Sequence, residues 1–285
     1  MSKFARLYEY ACESGWVAED KSNLFSPDEL TRNTLSLCHD PDYLQKLQDN
    51  ALDSAAWRRI GLPWSRGLIK RTFTAPNGTL LTAELALQNG IACHLAGGTH
   101  HAHYDFGSGF CMVNDLAFAG KSLIESGLAQ RILIFDCDVH QGDGTAALLQ
   151  DQPDIFTCSI HCEKNFPFRK QISDLDIGLD MHLSDTPYLE TVLNTLDSLL
   201  SRLQPDIVLY DAGVDVWKED SLGRLDISWQ GIERRDAGVL KACAQRDIPV
   251  ATVIGGGYDS DHARLAMRHG IIIDAAQRIS KACYA

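Results

Sequence analysis

The sequence predicts an α/β fold: a three-layer arrangement with a mostly parallel central sheet and helices on both faces. Short apolar runs recur at 91–96, 131–135, 154–161, 206–210 and 248–254. Stretches with helical spacing of apolar residues separate several of them. The most unusual polar clusters directly follow four of these runs. Helices covering both sides of a parallel sheet leave its strands dry, so such strands read as unbroken apolar runs.

Each element has a local reason. Residues 1–78 are less regular, with a polar loop at 61–66 and a turn expected at Pro76-Asn77-Gly78. Residues 79–88 read as a helix stopped by Asn89-Gly90. The run 91–96 reaches Gly97-Gly98, and a helix is expected over 114–129 despite Gly120 and Gly127. Residues 131–135 and 154–161 read as buried strands. Leu189, Leu193, Leu196, Leu200 and Leu203 line one face of a helix over 188–203, which Pro205 closes. A strand begins at 206–210. Ser228 suits the N-cap of a helix over 229–246, and 248–254 is the last strand before Gly255-Gly256-Gly257. No repeat or linker interrupts this pattern, so residues 1–285 read as one domain.

Composition narrows the class. The chain carries 26 Lys+Arg and 38 Asp+Glu, a net charge of −12, with 45% hydrophobic and 22% charged residues. That is an ordinary globular profile, and the acidic balance argues against a nucleic-acid partner. No run of about 18 apolar residues offers a membrane span. The opening Met1-Ser2-Lys3-Phe4 does not read as a signal peptide. The nine cysteines are odd in number and lack C-x-x-C spacing, as expected of reduced thiols in a cytoplasmic protein; Cys158 and Cys162 read as small buried hydrophobes.

The chemistry lies in clusters after the strands: GGTHHAHYD, DCDVHQGD, DAGVD and GGGYD. In open α/β sheets ligands bind beyond the carboxyl ends of the strands, so these clusters would converge on one crevice. In extended chain Asp136, Asp138 and His140 share a face while Cys137 and Val139 point away. Three such groups at a dry strand end need a cation or partners, and their donors suit zinc or another divalent transition metal. Asp211 and Asp215 each offer a further ligand, and spacing does not choose between them. His100, His101 and His103 suit acid–base work, although His103, His161 and His182 read as structural. Tyr258, after three glycines, could donate to an oxyanion. Trp57 and Trp64 read as buried anchors.

Together GGTHHA, SGFCMVND, DCDVHQGDG, GVD and GGGY resemble the zinc-dependent histone deacetylase family, in the family's order and over nearly the whole chain. His-Gln-Gly after Asp138-Val139-His140, and the segment EKNFPFRK, are similar to its class IV and bacterial branch. The resemblance implies an arginase-like fold and metal-dependent hydrolysis of an acyl-lysine amide or a related acylated amine. It assigns the metal to Asp138, His140 and Asp215. It pairs His100 with Asp136 and His101 with Asp143, makes His101 the general base and acid, and gives Tyr258 the oxyanion. Gly109, Phe110 and Phe166 would line the tunnel, with Leu222 near its floor or rim. A potassium site would use Asp136, Asp138, His140, Ser159 and the Ile160 carbonyl. Zinc is the implied ion, with iron(II) or cobalt suited to the same donors.

Departures are also legible. The family resemblance implies a strand ahead of Ser2-Lys3-Phe4, which this sequence does not contain. Lys218-Glu219-Asp220-Ser221 replaces a Gly-Asp-Pro pattern near the tunnel, and no acidic rim residue stands out in 40–100. Two other readings compete. A binuclear ureohydrolase would need a further bridging carboxylate, where Gly142 stands here. A non-catalytic acyl-lysine-binding module would not need the paired histidines or Tyr258.

Overall fold

The structure is a computed structural model that describes residues 2–283. Four helices open the chain: α1 (Ser2–Glu13), α2 (Arg32–Leu35), α3 (Pro41–Gln48) and α4 (Ser54–Ile60). There follow α5 (Arg66–Asn89), β1 (Ile91–Cys93), α6 (Asp115–Glu125), β2 (Ile132–Asp136), α7 (Asp143–Leu149) and β3 (Ile155–Cys162). The rest is β4 (Leu175–Leu179), α8 (Asp185–Leu203), β5 (Ile207–Asp211), α9 (Trp229–Ala244), β6 (Val250–Val253) and α10 (His262–Cys283).

Six strands pair in the order β1-β6-β5-β2-β3-β4, every pairing parallel. Helices cover both faces, as the apolar runs require. Residues alternate between two cores. Leu133, Phe135, Val208, Tyr210 and Val250 face the side of α1, α8, α9 and α10. Ile132, Ile134, Ile207, Leu209, Ala251 and Val253 face the side of α3, α5 and α6. Each fully buried Leu, Ile or Val contributes about 1.5–3 kcal/mol of transfer free energy.

This order positions the site. From β2 the chain builds outward one way through β3 and β4; β5 and β6 lie on its other side. The loops leaving β2 and β5 therefore part at their carboxyl ends and open a crevice. Asp136 and Asp211, the last residues of those strands, stand in register side by side.

The expected turn at Pro76-Asn77-Gly78 is wrong, because α5 runs through it. Proline removes one donor and frees carbonyls in the preceding turn, and the tertiary structure fills the gap. Leu30 N donates to Phe73 O at 2.9 Å, and Asn77 Nδ2 donates to Asp28 O at 3.0 Å. Gly78 is needed where it stands, since any Cβ there would run into the His94 ring. The expected strand at 91–96 is shorter, and β4 and α7 had no sequence reading. Asn114 caps α6, accepting from Ala117 N, and Ser228 caps α9, accepting from Gly231 N. Burial pushes the Cys158 and Cys162 thiols up in pKa, so both stay protonated. No helix among the described residues is long and apolar enough to cross a membrane.

Candidate active site and metal centre

The segment after β2 coils so that its polar side chains converge. Asp138 N donates to Asp136 Oδ1 at 3.0 Å, and His140 N to Asp138 Oδ1 at 2.9 Å. Cys137 and Val139 point into the opposite core. Two backbone donors from other strand ends hold the acids: Gly256 N bonds Asp138 Oδ2 at 2.6 Å and Val139 N bonds Asp215 Oδ1 at 2.9 Å.

His140 Nδ1 lies 3.0 Å from Asp138 Oδ1 and 3.1 Å from Asp215 Oδ2. All three residues are buried, and their ligand atoms lie within 4.8 Å of one another. Burial disfavours charge on His140, but the two carboxylates outweigh it and raise the imidazole to about 10. Burial and the nearby Asp138 push Asp215 upward. A buried triad of this kind could hold a cation. Two carboxylates and one imidazole fit zinc, and equally iron(II) or cobalt. His100, Asp136 and Asp211 form the second such group among the described residues. There, however, the His100 Nδ1–Asp136 Oδ2 contact is already a 2.7 Å hydrogen bond. Asp211 has no hydrogen-bond partner, and burial with Asp136 beside it holds its carboxyl well above the usual range.

The histidine pair sits on a loop tied down by Asp115 and Asn114. Asp115 accepts from Gly98 N, Thr99 N, Thr99 Oγ1 and Thr79 Oγ1 at 2.5–3.1 Å. Asn114 Nδ2 donates to the carbonyls of His100 and Ala102. Gly98 has a φ of +81°, and a Cβ there would sit 2.5 Å from Gly255 Cα. His101 Nδ1 lies 2.6 Å from Asp143 Oδ1, while His103 Nε2 lies 3.0 Å from Asp143 Oδ2. The two rings meet, His100 Nε2 to His101 Nε2, at 3.2 Å.

Their electrostatics diverge. Burial opposes charge on His100, but Asp136 and Asp138 outweigh it and raise it well above the ordinary value. Burial and the adjacent His100 lower His101 to about 4, leaving it neutral at pH 7. With Nδ1–H held by Asp143, the basic lone pair of His101 is on Nε2.

Tyr258 N donates to Asp220 Oδ2 at 2.7 Å. Its ring lies 6.3 Å from His140 and 5.7 Å from Phe110. Burial, then Asp215 and Asp138, raise its phenol well above 10, so it remains a donor. Phe166 meets His101 edge-on at 4.9 Å, and a Cβ on Gly109 would lie 3.0 Å from the Phe166 ring. Leu222 is exposed and does not line the cavity; its carbonyl accepts from Asn165 Nδ2 at 2.7 Å. His100, His101, Gly109, Phe110, Asp138 and Tyr258 line one cavity of about 450 Å³. Lys3 and Arg71, which sequence reasoning missed, line it too, and Lys3 Nζ donates to Gly255 O at 3.3 Å. Ser159, opposite Asp136 in the sheet, has its hydroxyl against His161 Nδ1 at 3.0 Å, and Ile160 is buried. His182 is exposed beside Asp226.

An uncharacterized protein of Picosynechococcus is 49% identical over 98% of this chain and 92% of its own length. Histone deacetylase 2 of Arabidopsis thaliana is 27% identical over 98% of this chain and 73% of its own. The crystal structure of a histone deacetylase homologue from Aquifex aeolicus superposes with a TM-score of 0.78 at 22% identity, covering 97% of this chain and 82% of that one, which establishes the arginase/deacetylase-type fold. The histone deacetylase domain matches residues 1–271, and the chain belongs to that family.

Proposed function

We propose that this chain, as one catalytic domain, is a metal-dependent deacylase that hydrolyses acyl-lysine in proteins or peptides, or a related acylated amine. One observation carries the reading: two His–Asp pairs abut the Asp138–His140–Asp215 donor set, and His100, His101, Asp138 and Tyr258 line one cavity.

Asp138, His140 and Asp215 would hold the ion, for which zinc is our assignment. When bound, it supplies Lewis-acid polarisation of the acyl carbonyl and acidifies water. His101 Nε2 accepts the proton of the attacking water, and Asp143 keeps the tautomer that puts the lone pair on Nε2, which His100 Nε2 approaches to 3.2 Å. The same nitrogen then returns that proton to the departing amine. His100, held charged by Asp136, stabilises negative charge nearby. The Tyr258 hydroxyl donates to the oxyanion as the carbonyl becomes tetrahedral. Gly109, Phe110 and Phe166 form an apolar wall that accepts an acyl-lysine stem and excludes water. A potassium ion on Asp136, Asp138, His140, Ser159 and Ile160 would have to draw the Ser159 hydroxyl away from His161. The ureohydrolase reading is disfavoured because a side chain at Gly142 would meet Asp136 Oδ2 at 2.5 Å.

The test is a panel of peptides bearing acetyl to long acyl groups on lysine. It is run with and without chelator, and after restoring each metal. Chelator-sensitive release of acid is expected, with losses of about 10²–10⁴-fold in kcat for His101→Ala and Tyr258→Phe. Wild-type rates in either variant, once shown folded and metal-loaded, would refute the assignment.

A further inference from the structure

Arg235, in the middle of α9, is fully buried and does not line the cavity. Its guanidinium reaches the two turns that carry the candidate ligands. Nη1 donates to Gly213 O at 2.7 Å and Cys137 O at 3.3 Å, and Nη2 to Ala212 O at 3.1 Å. Nε donates to Asp236 Oδ1 at 2.8 Å, which also accepts from Tyr210 on β5 at 2.7 Å. Cys137 lies between Asp136 and Asp138; Ala212 and Gly213 lie between Asp211 and Asp215. These carbonyls fall where the parted strands leave the sheet ladder. A buried carbonyl needs a donor, and a planar fork satisfies several at fixed spacing.

We propose that Arg235 is a positioning residue for the metal centre: by bonding the Cys137, Ala212 and Gly213 carbonyls at once, it fixes the spacing of Asp138 and Asp215. The inference rests on the reading that Asp138, His140 and Asp215 hold the ion. It is specific to the guanidinium, because a lysine at 235 has charge but no rigid fork to span both turns. Asp236 anchors the fork on β5 and so joins helix α9 to the same geometry.

The test uses the full chain and measures zinc affinity by competition with a chromophoric chelator, and the visible spectrum of the cobalt-loaded protein. Wild type, Arg235→Lys and a control, Leu196→Ala, are compared. Leu196 is buried in α8, and its truncation costs stability without removing a bond to either turn. Arg235→Lys is expected to lose about 10–100-fold in zinc affinity and to shift the cobalt bands. Leu196→Ala is expected to leave both within about threefold of wild type, the difference between positioning and bulk stability. If Arg235→Lys does not fold, Asp236→Asn carries the test, with a smaller loss in the same direction. Equal zinc affinity and cobalt spectra in wild type and the Arg235 or Asp236 variant overturn the inference alone. An equal loss in Leu196→Ala also overturns it. Failure of wild type to bind zinc or cobalt removes the metal reading and the inference together.

Discussion

Asp115→Asn should be among the most damaging conservative changes in the chain, although Asp115 touches neither ion nor substrate in the proposed mechanism. Its carboxylate is fully buried and accepts four hydrogen bonds. Hydrogen bonds to an ionised acceptor contribute about 1.5–3 kcal/mol each, against about 0.5–1.5 for neutral ones. An asparagine keeps the Thr99 pair on its carbonyl oxygen. Its amide then faces Thr79 and Gly98. Thr79 Oγ1 can turn to accept it, since His94 Nδ1 lies 3.1 Å away and can take the hydroxyl proton. Gly98 N–H has no such option and is left orphaned. Relief of carboxylate desolvation offsets part of the loss, which leaves a net cost of about 3–5 kcal/mol. The loop that slackens carries His100 and His101, so kcat should fall about 10–100-fold with little change in KM. Urea unfolding at pH 7.5, with and without metal, measures the first quantity and saturating-substrate kinetics the second. A stability change under about 1 kcal/mol would refute the account of how this loop is held.

Metal binding should weaken on acidification, because His140, at about 10 when metal-free, must lose its proton to coordinate. The expected slope is about tenfold in affinity per pH unit below that value, measured by zinc competition; a flat profile between pH 6 and 8 would exclude these ligands. His39 is fully buried, with Nδ1 against His103 O and Nε2 accepting from Asn114 N. Burial holds it at about 4, so the unfolded chain takes up a proton near pH 6.5 that the folded chain refuses. Stability contributed by the neutral ring is complete above about 6.5 and is lost as pH falls to about 4, a change of about 3 kcal/mol. Imidazole nitrogen NMR should show His39 neutral at pH 5, and a charged ring there would contradict the burial argument. Gly98→Ala should abolish soluble metal-binding protein, since a Cβ meets Gly255 Cα at 2.5 Å and Asp211 Oδ2 at 2.7 Å. A folded, zinc-binding variant would show that this loop can shift.

Legibility in the sequence followed the strength of local constraint. The central strands β2, β3, β5 and β6 were readable because both faces are apolar. Strand β4 was not: it lies at the sheet edge with Asp176 and Gly178 on its exposed side, so no apolar run marks it. Pro76 misled because the turn it opens is held by Leu30 N donating to Phe73 O, a partner 46 residues from Pro76 by number that no local window contains. Helix α10 buries Arg268, His269 and Gly270, which break its apolar stripe. Asp136, Asp138, His140 and the histidine pair were legible from residue type and spacing. Spacing leaves Asp211 and Asp215 open, because both stand at or beyond the end of β5 on the same parity; the family resemblance assigns Asp215, and the fold sets Asp215 Oδ2 3.1 Å from His140 Nδ1. Arg235 had a weak signal: it falls with Ile232 and Val239 on the buried side of α9. Arginine is so rarely buried that the pattern reads as surface.

The site concentrates negative charge where water does not reach, and each acid is stabilised differently. Asp136 accepts from His100 and Asp138 N, and Asp143 is shared by His101 and His103. Asp138 and Asp215 have one or two backbone donors each; both face His140, and Asp138 also lies 3.8 Å from His100 Nε2. His100 and His140 outweigh burial and hold Asp138 well below the usual carboxylate range, whereas burial and the charge of Asp138 push Asp215 upward. Asp211 accepts no hydrogen bond among the described residues, and burial with Asp136 beside it holds its carboxyl well above the usual range. The four aspartates at the ends of β2 and β5 are thus not equivalent ligands in reserve. In the proposed mechanism Asp136 orients His100 and Asp138 and Asp215 hold the ion, while Asp211 lies where a side chain on Gly98 or Gly255 would stand. A deacylase that needs one open coordination position would be served by this division, because a third carboxylate, as a fourth ligand, would fill the place that water must occupy.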